Sequence, residues 1–470
     1  MQASPRYAPD LSRLQHSREA LAHSVAPSTW RRAFEVRTAD ATIAPALRVG
    51  AATALVLVIG GLLGHGNLAG FAALGALTAA FGRYEPYPRL ARKTGLVGLA
   101  LVVFVAGGAL LGAAGLSLWW QIAVMAVASG IAAWLLAAFR IAGPGPVILI
   151  FAATAAVGHA TTLADLAPAV VAVAIGVVVG WLAAMTPGLF VPLGPARLAV
   201  ARALAAVAEL GRVHDDAAIA AARKAIDNAR DVIAHSGRAR DGHSHQLFAL
   251  LAEADTVVDR WARERDHDTL RALVDHESEL RKVKRRSDLS AFGAETVALP
   301  NPAGFLAEGL RGLRSREGIV NAARIAAAAA LAGWICVAVG LEHPLWASMG
   351  AMAAMQGFNF SQTVQRGIQR LVGNVAGAVL AAGLIAAAMG YWQTVVVIVV
   401  LQTVTELVVI KNYAFASVAI TPMALLLTGL GSAVAPDIAV SRVVDTLVGV
   451  VVGVIVSAVA ISRTDRHHMS

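Results

Sequence analysis

Cysteine and charge are both scarce in this chain of 470 residues. Cys336 is the only cysteine, which excludes an intrachain disulfide and a zinc site built from several cysteines. Charged residues make up 15% of the chain, against roughly 25% in an ordinary soluble domain, whereas 57% of the residues are hydrophobic. This composition excludes a single soluble globule, a disordered chain and a small disulfide-stapled scaffold.

Several motifs with known chemistry are missing as well. The chain contains no Gly-x-x-x-x-Gly-Lys-[Ser/Thr] phosphate loop, no His-Glu-x-x-His and no Gly-x-Ser-x-Gly. We therefore expect no enzyme activity, no cofactor and no resident metal. We also expect no nucleic-acid partner, because no basic stripe with interleaved aromatic residues accompanies the net charge of +9.

The hydrophobic residues lie in long segments that have the length of membrane-spanning helices. A spanning helix needs roughly 20 mostly apolar residues, and the chain has two blocks with six candidates each. The candidates lie at about 45–63, 68–82, 95–114, 118–139, 145–159 and 166–186, and then at about 319–340, 344–358, 371–389, 393–410, 413–429 and 438–461. The second segment of each block is short and could be a full span, a tilted span or a half-helix. This pattern predicts an all-α polytopic membrane protein with about twelve spans.

Charge separates the two blocks. Residues 196–318 hold 20 of the 39 basic and 19 of the 30 acidic residues. The predicted organisation is a cytoplasmic N-terminal segment at 1–44, a first transmembrane bundle at 45–186, a cytoplasmic helical domain with an interfacial helix at 187–318, a second transmembrane bundle at 319–461 and a cytoplasmic tail at 462–470. Apolar spacing in the middle domain predicts two long amphipathic helices, one before and one after a break at 236–244.

Lysine and arginine are confined to alternate loops. The loops at 64–67, 115–117, 160–165, 341–343, 390–392 and 430–437 contain neither residue; we call them the predicted outer loops. Because basic loops remain in the cytoplasm, both termini and the middle domain are predicted to be cytoplasmic. The composition fits a bacterial plasma membrane.

The two apolar blocks resemble each other. Gly-Val-Val-Val-Gly occurs at 176–180 and at 449–453, and Arg48 sits in its block much as Arg324 does in the other. Six segments per copy predict two parallel repeats, related by an axis along the membrane normal. The Gly-x-x-x-Gly spacing predicts close helix packing within the chain, and a dimerisation face is the alternative.

Ionisable residues inside the predicted spans are candidates for function, because a charge in the bilayer is costly unless it is paired or faces a cavity. Arg324 and Glu406 lie at similar depths and could form a pair, or bind substrate and carry a proton. Arg442 and Asp445 share a helix face near the outer end of the last segment and could pair with each other. Arg48 has no acid in the spans of its block. An excess of buried arginine suits an anionic ligand, because the guanidinium fork matches a carboxylate.

The second block also carries recognisable motifs. They are His343-Pro344-Leu345-Trp346-Ala347, Arg366 with Arg370-Leu-Val-Gly373, Lys411-Asn412-Tyr413 and Arg442-Val-Val-Asp445-Thr446. Residues 319–461 thereby resemble the fusaric acid resistance family, which is related to the aromatic acid exporters and more distantly to plant aluminium-activated malate transporters. The first block matches only in layout, with Ala169 and Ala172 at the positions of Arg442 and Asp445. Asn374 stands where the family has threonine.

The resemblance implies a two-bundle membrane protein that exports small organic, often aromatic, acids with the proton gradient. Some relatives use a periplasmic membrane-fusion partner, and relatives with a single six-span unit form a pore from two chains, so a partner protein and a homodimer are open. The candidate substrate-binding residues are Arg48, Arg324, Trp346, Arg366, Arg370, Lys411, Asn412 and Tyr413. The candidate proton-coupling or structural residues are Glu406, Arg442 and Asp445.

We expect the substrate between the two bundles near the cytoplasmic half. The alternatives are a passive organic-anion channel and a non-transporting membrane scaffold or regulator.

Overall fold

The computed structural model of the protein describes residues 13–36, 42–212, 215–236, 242–264, 276–281, 304–357, 359–430 and 438–461. Within these ranges the regular structure is helical and contains no strand. Part of the predicted N-terminal segment, the centre of the predicted break at 236–244 and the predicted tail at 462–470 fall outside them.

Each of the twelve predicted segments forms a helix. After α1 (Arg13–Val25) and α2 (Pro27–Ala33), the first block contains α3 (Ile43–Leu62), α4 (Gly66–Ala76, continued by a 3-10 turn at Leu77–Ala80), α5 (Tyr87–Ala113), α6 (Leu118–Ala138), α7 (Val147–His159) and α8 (Leu166–Phe190). The middle region contains α9 (Gly194–Glu209), α10 (Asp216–Ala234), α11 (Gly242–Glu264) and α12 (Phe305–Leu313). The second block contains α13 (Arg316–Ala338), α14 (Pro344–Ala354), α15 (Phe360–Ala386), α16 (Tyr391–Val408), α17 (Tyr413–Thr428) and α18 (Ile438–Val459).

The helix ends follow from local sequence. Gly115 and Gly340 follow the ends of α5 and α13 with φ of 59° and 77°, a left-handed conformation that glycine adopts without a steric penalty. Pro344 occupies the first turn of α14, where its missing N–H costs no helical hydrogen bond. These residues stop or start a helix at the predicted outer loops and make the connections short.

Eight helices in the described part of the chain are long and apolar enough to cross a membrane, namely α3, α5, α6, α8, α13, α15, α16 and α18. The other four helices of the two blocks, α4, α7, α14 and α17, have 11 to 16 residues. The all-helical, multi-pass fold class is thus confirmed. The layout of twelve spans stays a prediction, because it requires the four short helices to cross as well.

The two blocks have the same order of long and short helices, so each helix of the first block corresponds to the helix numbered ten higher. The packing corresponds too. Gly176 on α8 lies against the backbone of Ala72 on α4, as Gly449 on α18 lies against the backbone of Ala347 on α14. The close glycine packing predicted within the chain is therefore observed.

The blocks also exchange contacts reciprocally. Helix α3 packs on α16, and α13 packs on α6; likewise α4 contacts α17, and α14 contacts α7. A two-fold relation between two copies of one six-helix unit produces such paired exchanges, because each contact must occur twice. An axis along the membrane normal and an axis in the membrane plane both give this reciprocity, so the parallel relation that the even helix count predicts stays a prediction.

The middle region belongs to a second compact unit, which comprises residues 82–96 and 181–308. Helices α9, α10 and α11 pack around Leu204, Ile226, Leu251 and Trp261. The single long helix predicted ahead of residue 236 is wrong, because the chain turns after α9 and starts again at α10. Asp215 caps the new helix by accepting a hydrogen bond from the backbone N–H of Ala218 at 2.7 Å.

We expect Gly449→Ala to destabilise the protein, because the added methyl group would collide with the backbone of α14, which cannot move aside as a side chain can. Overpacking of this kind costs about 1–3 kcal/mol, and a thermal unfolding scan in detergent should show a lower Tm. Gly176→Ala should behave alike in the first block. Gly383→Ala on α15 is the control, since nothing lies within 4 Å of its added methyl group; an equal loss there would contradict the packing account.

Candidate functional site

Polar side chains line the contact between α15 and α17 at four-residue spacing. They are Arg366, Arg370 and Asn374 on α15, and Tyr413, Ser417 and Thr421 on α17. Residues four apart share one helix face, so each set forms a polar stripe along one face of its helix. Both helices start at an asparagine cap, Asn359 and Asn412, whose side-chain oxygens accept backbone N–H bonds.

Tyr413 lies between two guanidinium groups. Arg370 Nη1 donates to the Tyr413 hydroxyl at 3.0 Å, and the Arg366 guanidinium carbon lies 5.8 Å from the centroid of the same ring. Arg366 also donates to Gln356 Oε1 at 3.1 Å. The structure therefore brings together three of the predicted substrate-binding residues.

Asn374 joins three helices. Its Nδ2 donates to Thr446 Oγ1 on α18 at 2.7 Å, and its Oδ1 accepts from Thr421 Oγ1 on α17 at 2.9 Å. A carboxamide has both a donor and an acceptor and so satisfies two hydroxyl groups at once. Asparagine at position 374, where the family has threonine, therefore links the three helices in this chain.

Arg442 and Asp445 are both buried on α18 beside this bridge. The Arg442 guanidinium lies 4.4 Å from the centroid of the Trp346 ring, and Asp445 Oδ1 faces Cys336 Sγ at 3.9 Å. The two side chains interact electrostatically, but no ion pair joins them in the part of the chain that the structure describes. The Arg442 guanidinium thus packs against an aromatic ring, and the Asp445 carboxyl group lies beside a thiol.

We call Arg366, Arg370, Arg442, Tyr413, Trp346 and Asp445 the arginine cluster. Arg370 and Arg442 are 5% and 4% exposed and lie within electrostatic range of each other, and Asp445 is 1% exposed. Three buried atoms, Arg370 Nε, Arg442 Nη1 and Asp445 Oδ2, have no hydrogen-bond partner among the described residues. An unsatisfied buried polar group costs about 1–3 kcal/mol, and a charged one costs more. The cluster has the composition of a site that accepts an anion.

The first block has no equivalent. Ala169 and Ala172 are buried on α8 where Arg442 and Asp445 stand on α18. The second block therefore holds the charge on which the site depends.

Arg48 and Arg324 donate to backbone carbonyls near helix ends. Arg48 Nη2 bonds the Ala79 carbonyl at 2.8 Å, and Arg324 Nη2 lies 3.4 Å from both the carbonyl and the hydroxyl of Ser457 on α18. Cations are favoured at helix C-termini, so these contacts stabilise the helix ends. A role for either arginine in substrate binding stays a prediction.

Glu406 is buried on α16, where its Oε1 accepts from Gln402 Nε2 at 3.3 Å. Gln402 Oε1 and Thr405 Oγ1 nearby are buried without a hydrogen-bond partner among the described residues. The predicted pair with Arg324 stays a prediction, as does proton transfer by Glu406.

Lys411 and Asn412 lie in the turn between α16 and α17. Lys411 is half-buried. Asn412 Nδ2 donates to the carbonyls of Ala33 and Glu35, at 3.0 and 3.1 Å, and so ties the end of α2 to the start of α17. Its observed contacts are structural ones.

A cavity of about 970 Å³ lies beside the predicted outer loops. Its walls come from all the helices of the first block except α3 and α8 and from α14, α17 and α18 of the second, with Trp346 among the lining residues. This cavity lies at the end of the helices opposite to the loops that the charge pattern predicts to be cytoplasmic, and the expected substrate position near the cytoplasmic half stays a prediction. Trp346 both lines the cavity and contacts Arg442, so the cavity and the arginine cluster share a side chain.

Sequence reasoning did not single out Ser417, Thr421, Gln356 or Cys336 as partners in this region. The four-residue spacing of Tyr413, Ser417 and Thr421 in an apolar segment was a usable signal for the first two. Gln356 and Cys336 carry no such pattern, because their partners lie on other helices.

Comparison with known proteins shows which family the second block resembles. A family model described as fusaric acid resistance protein-like matches residues 329–456. The uncharacterized membrane protein YvaC of Bacillus subtilis (strain 168) is 24% identical over 425 residues, which cover 82% of this chain and 67% of that protein. No solved structure matches. The predicted resemblance of the second block is confirmed, and the chain is a multi-pass membrane protein.

We expect Asn374→Ala and Thr446→Val to be non-additive, because each removes the same hydrogen bond between α15 and α18. Coupling energies for residues in contact are about 0.5–3 kcal/mol. Thermal unfolding of both single variants and the double variant measures the coupling. Thr403→Val is the control, since its hydroxyl donates to the Val399 carbonyl of its own helix. A coupling energy between Asn374→Ala and Thr403→Val as large as that with Thr446→Val would contradict the bridge.

Proposed function

We propose that this chain is a membrane transporter that exports small organic acid anions, aromatic ones among them, with coupling to the proton gradient. The arginine cluster carries this proposal: Arg370 and Arg442 are buried, each has an N–H with no hydrogen-bond partner in the part of the chain that the structure describes, and Asp445 is the one acid of the cluster. A substrate carboxylate supplies the missing acceptor and charge, because it fits the planar fork of a guanidinium.

Aromatic rings in the cluster support an aromatic substrate. Trp346 contacts Arg442 through its ring face, and Tyr413 lies against Arg366 and Arg370. A bound aromatic acid would place its carboxylate on the guanidinium groups and its ring against these side chains.

The polar stripe on α15 supports a route through the second block. Arg366 lies near the end of α15 that the basic loops predict to be cytoplasmic, and Arg370 and Asn374 follow at successive turns. Thr446 and Arg442 continue the polar surface on α18 as far as Trp346. An anion would move along this surface from the cytoplasmic end of α15 to the arginine cluster.

Glu406 is the proposed proton carrier. Carboxylates inside transport proteins serve in proton relays, and Glu406 is 4% exposed with polar atoms of Gln402 and Thr405 beside it. Protonation and deprotonation of this residue would couple the proton gradient to the movement of α16, which packs on α3 and α17.

We expect Arg370→Gln to lower carboxylate flux at least about tenfold, since loss of one charge-assisted contact to a bound anion is worth about 1.5–3 kcal/mol. The measurement is uptake of a panel of aromatic and aliphatic carboxylates into proteoliposomes under an imposed pH gradient. Arg370→Lys should retain part of the flux, because it keeps the charge and loses the fork. Arg311→Gln, on the exposed face of α12, is the control. Unchanged flux in Arg370→Gln would refute the assigned site, and no flux of any carboxylate would favour the scaffold alternative.

We expect Glu406→Gln to uncouple flux from the proton gradient while downhill flux continues, since glutamine keeps the shape and cannot carry the proton. Flux under a pH gradient is compared with flux under voltage alone, with exposed Glu253→Gln as control. Coupling that persists in Glu406→Gln removes this role. Wild-type flux that follows voltage whatever the pH gradient identifies a passive anion channel.

A further inference from the structure

The cavity at the predicted outer loops has the size and lining of a ligand site. Its volume of about 970 Å³ lies at the top of the range of about 300–1,000 Å³ typical of small-molecule pockets. Aromatic rings line it from both blocks, with Phe71 and Phe151 from the first and Trp346 from the second. It differs from the arginine cluster, of which Trp346 alone lines it.

Two ring pairs stand at its wall. The Phe71 and His159 rings meet edge to face with centroids 5.0 Å apart, and the His343 and Trp346 rings stack at 4.6 Å with an interplanar angle of 15°. Each pair comes from one block, so the cavity presents aromatic surface on both sides. Such surface binds flat aromatic compounds by stacking and edge contacts.

Polar atoms with unused hydrogen-bonding capacity also lie in this wall. Thr154 Oγ1 and His343 Nδ1 are buried and have no hydrogen-bond partner among the described residues. Buried polar groups in native proteins nearly always have a partner, and a ligand or ordered water at the site would provide one. The cavity can therefore orient a ligand that carries a small polar group.

The charge of this region is opposite in sign to that of the arginine cluster. Among the described residues, those that line the cavity include Glu342 and no lysine or arginine. The predicted outer loops contain Asp165, Glu342 and Asp437 in their sequence and likewise no lysine or arginine. A negative field at a cavity mouth raises the local concentration of cations and lowers that of anions.

We propose that this cavity is a second ligand site, which takes neutral or cationic aromatic compounds and discriminates against aromatic anions. Phe71, Phe151 and the stacked pair of His343 and Trp346 hold the aromatic part, and a cationic ligand gains attraction from the phenylalanine ring faces and from Glu342. This inference does not rest on the proposed transport of anions, because it concerns binding at residues outside the polar stripe of α15.

The test uses three naphthalene probes of matched shape and different charge: 1-naphthylmethylamine, 1-naphthalenemethanol and 1-naphthoate. Equilibrium binding to the purified full chain in nanodiscs is measured, with empty nanodiscs as the blank. We expect Phe71→Leu, which keeps most of the side-chain volume, to weaken the amine and the alcohol about fivefold and to leave the naphthoate unchanged. We expect Glu342→Gln to weaken the amine alone. Phe415→Ala, an exposed ring on α17, should change none of the three.

Arg370→Gln separates this site from the proposed anion site. It should weaken naphthoate and leave the amine unchanged. The inference is overturned if amine binding is unchanged in both Phe71→Leu and Glu342→Gln. It is also overturned if Phe71→Leu weakens naphthoate as much as it weakens the amine, because the cavity would then take anions. Loss of the Arg370 effect alone would count against the anion site and would leave the cavity site standing.

Discussion

The burial of two guanidinium groups in an apolar helical block is the constraint on which the rest of this structure depends. Arg370 and Arg442 are nearly inaccessible, and one acid, Asp445, is buried with them. A charge in such a place needs close partners, and the chain provides a phenol to Arg370 and an indole ring to Arg442. Those partners lie on α17 and α14, so α17 must approach α15 closely and α14 must approach α18 closely. The glycines on α15 and α18 allow that approach, because Gly373 meets Ser417 and Gly449 meets Ala347 with no space for a side chain.

The two similar blocks have different roles: the second carries the buried charges, and the first provides packing surface. The first block has alanines where the second has Arg442 and Asp445, and its helices supply packing surface: α3 supports α16, and α6 supports α13. Its Phe71 and His159 also form one wall of the outer cavity. A duplicated unit that keeps the charged residues in one copy yields a single polar surface flanked by a complementary apolar copy. The site is therefore asymmetric, although the helix packing around it is reciprocal.

Much of this arrangement follows from the sequence, for physical reasons that also mark where prediction stops. Apolar length places the helices, since the need to bury or solvate twenty apolar residues leaves few options. The Gly-x-x-x-Gly pairs predict close crossings, and the motifs of the second block single out Arg370, Arg442 and Tyr413. The partner of Asn374 is beyond such reasoning, because Thr446 lies 72 residues away and the bond depends on how three helices pack. The break before α10 could not be predicted from the sequence, because Asp215 acts as a cap only once the helix before it has ended. The cavity could not be predicted either, because it forms from the ends of helices distant in sequence.

The most direct test of the account is the location of a bound anion. The structure of the full chain, determined with a bromine-substituted aromatic carboxylate, would show where the carboxylate and the heavy atom lie. The account predicts a carboxylate against Arg370 and Arg442, with the ring beside Trp346 or Tyr413. A carboxylate bound at Arg48 or Arg324, with the N–H groups of Arg370 and Arg442 satisfied by water, would contradict it.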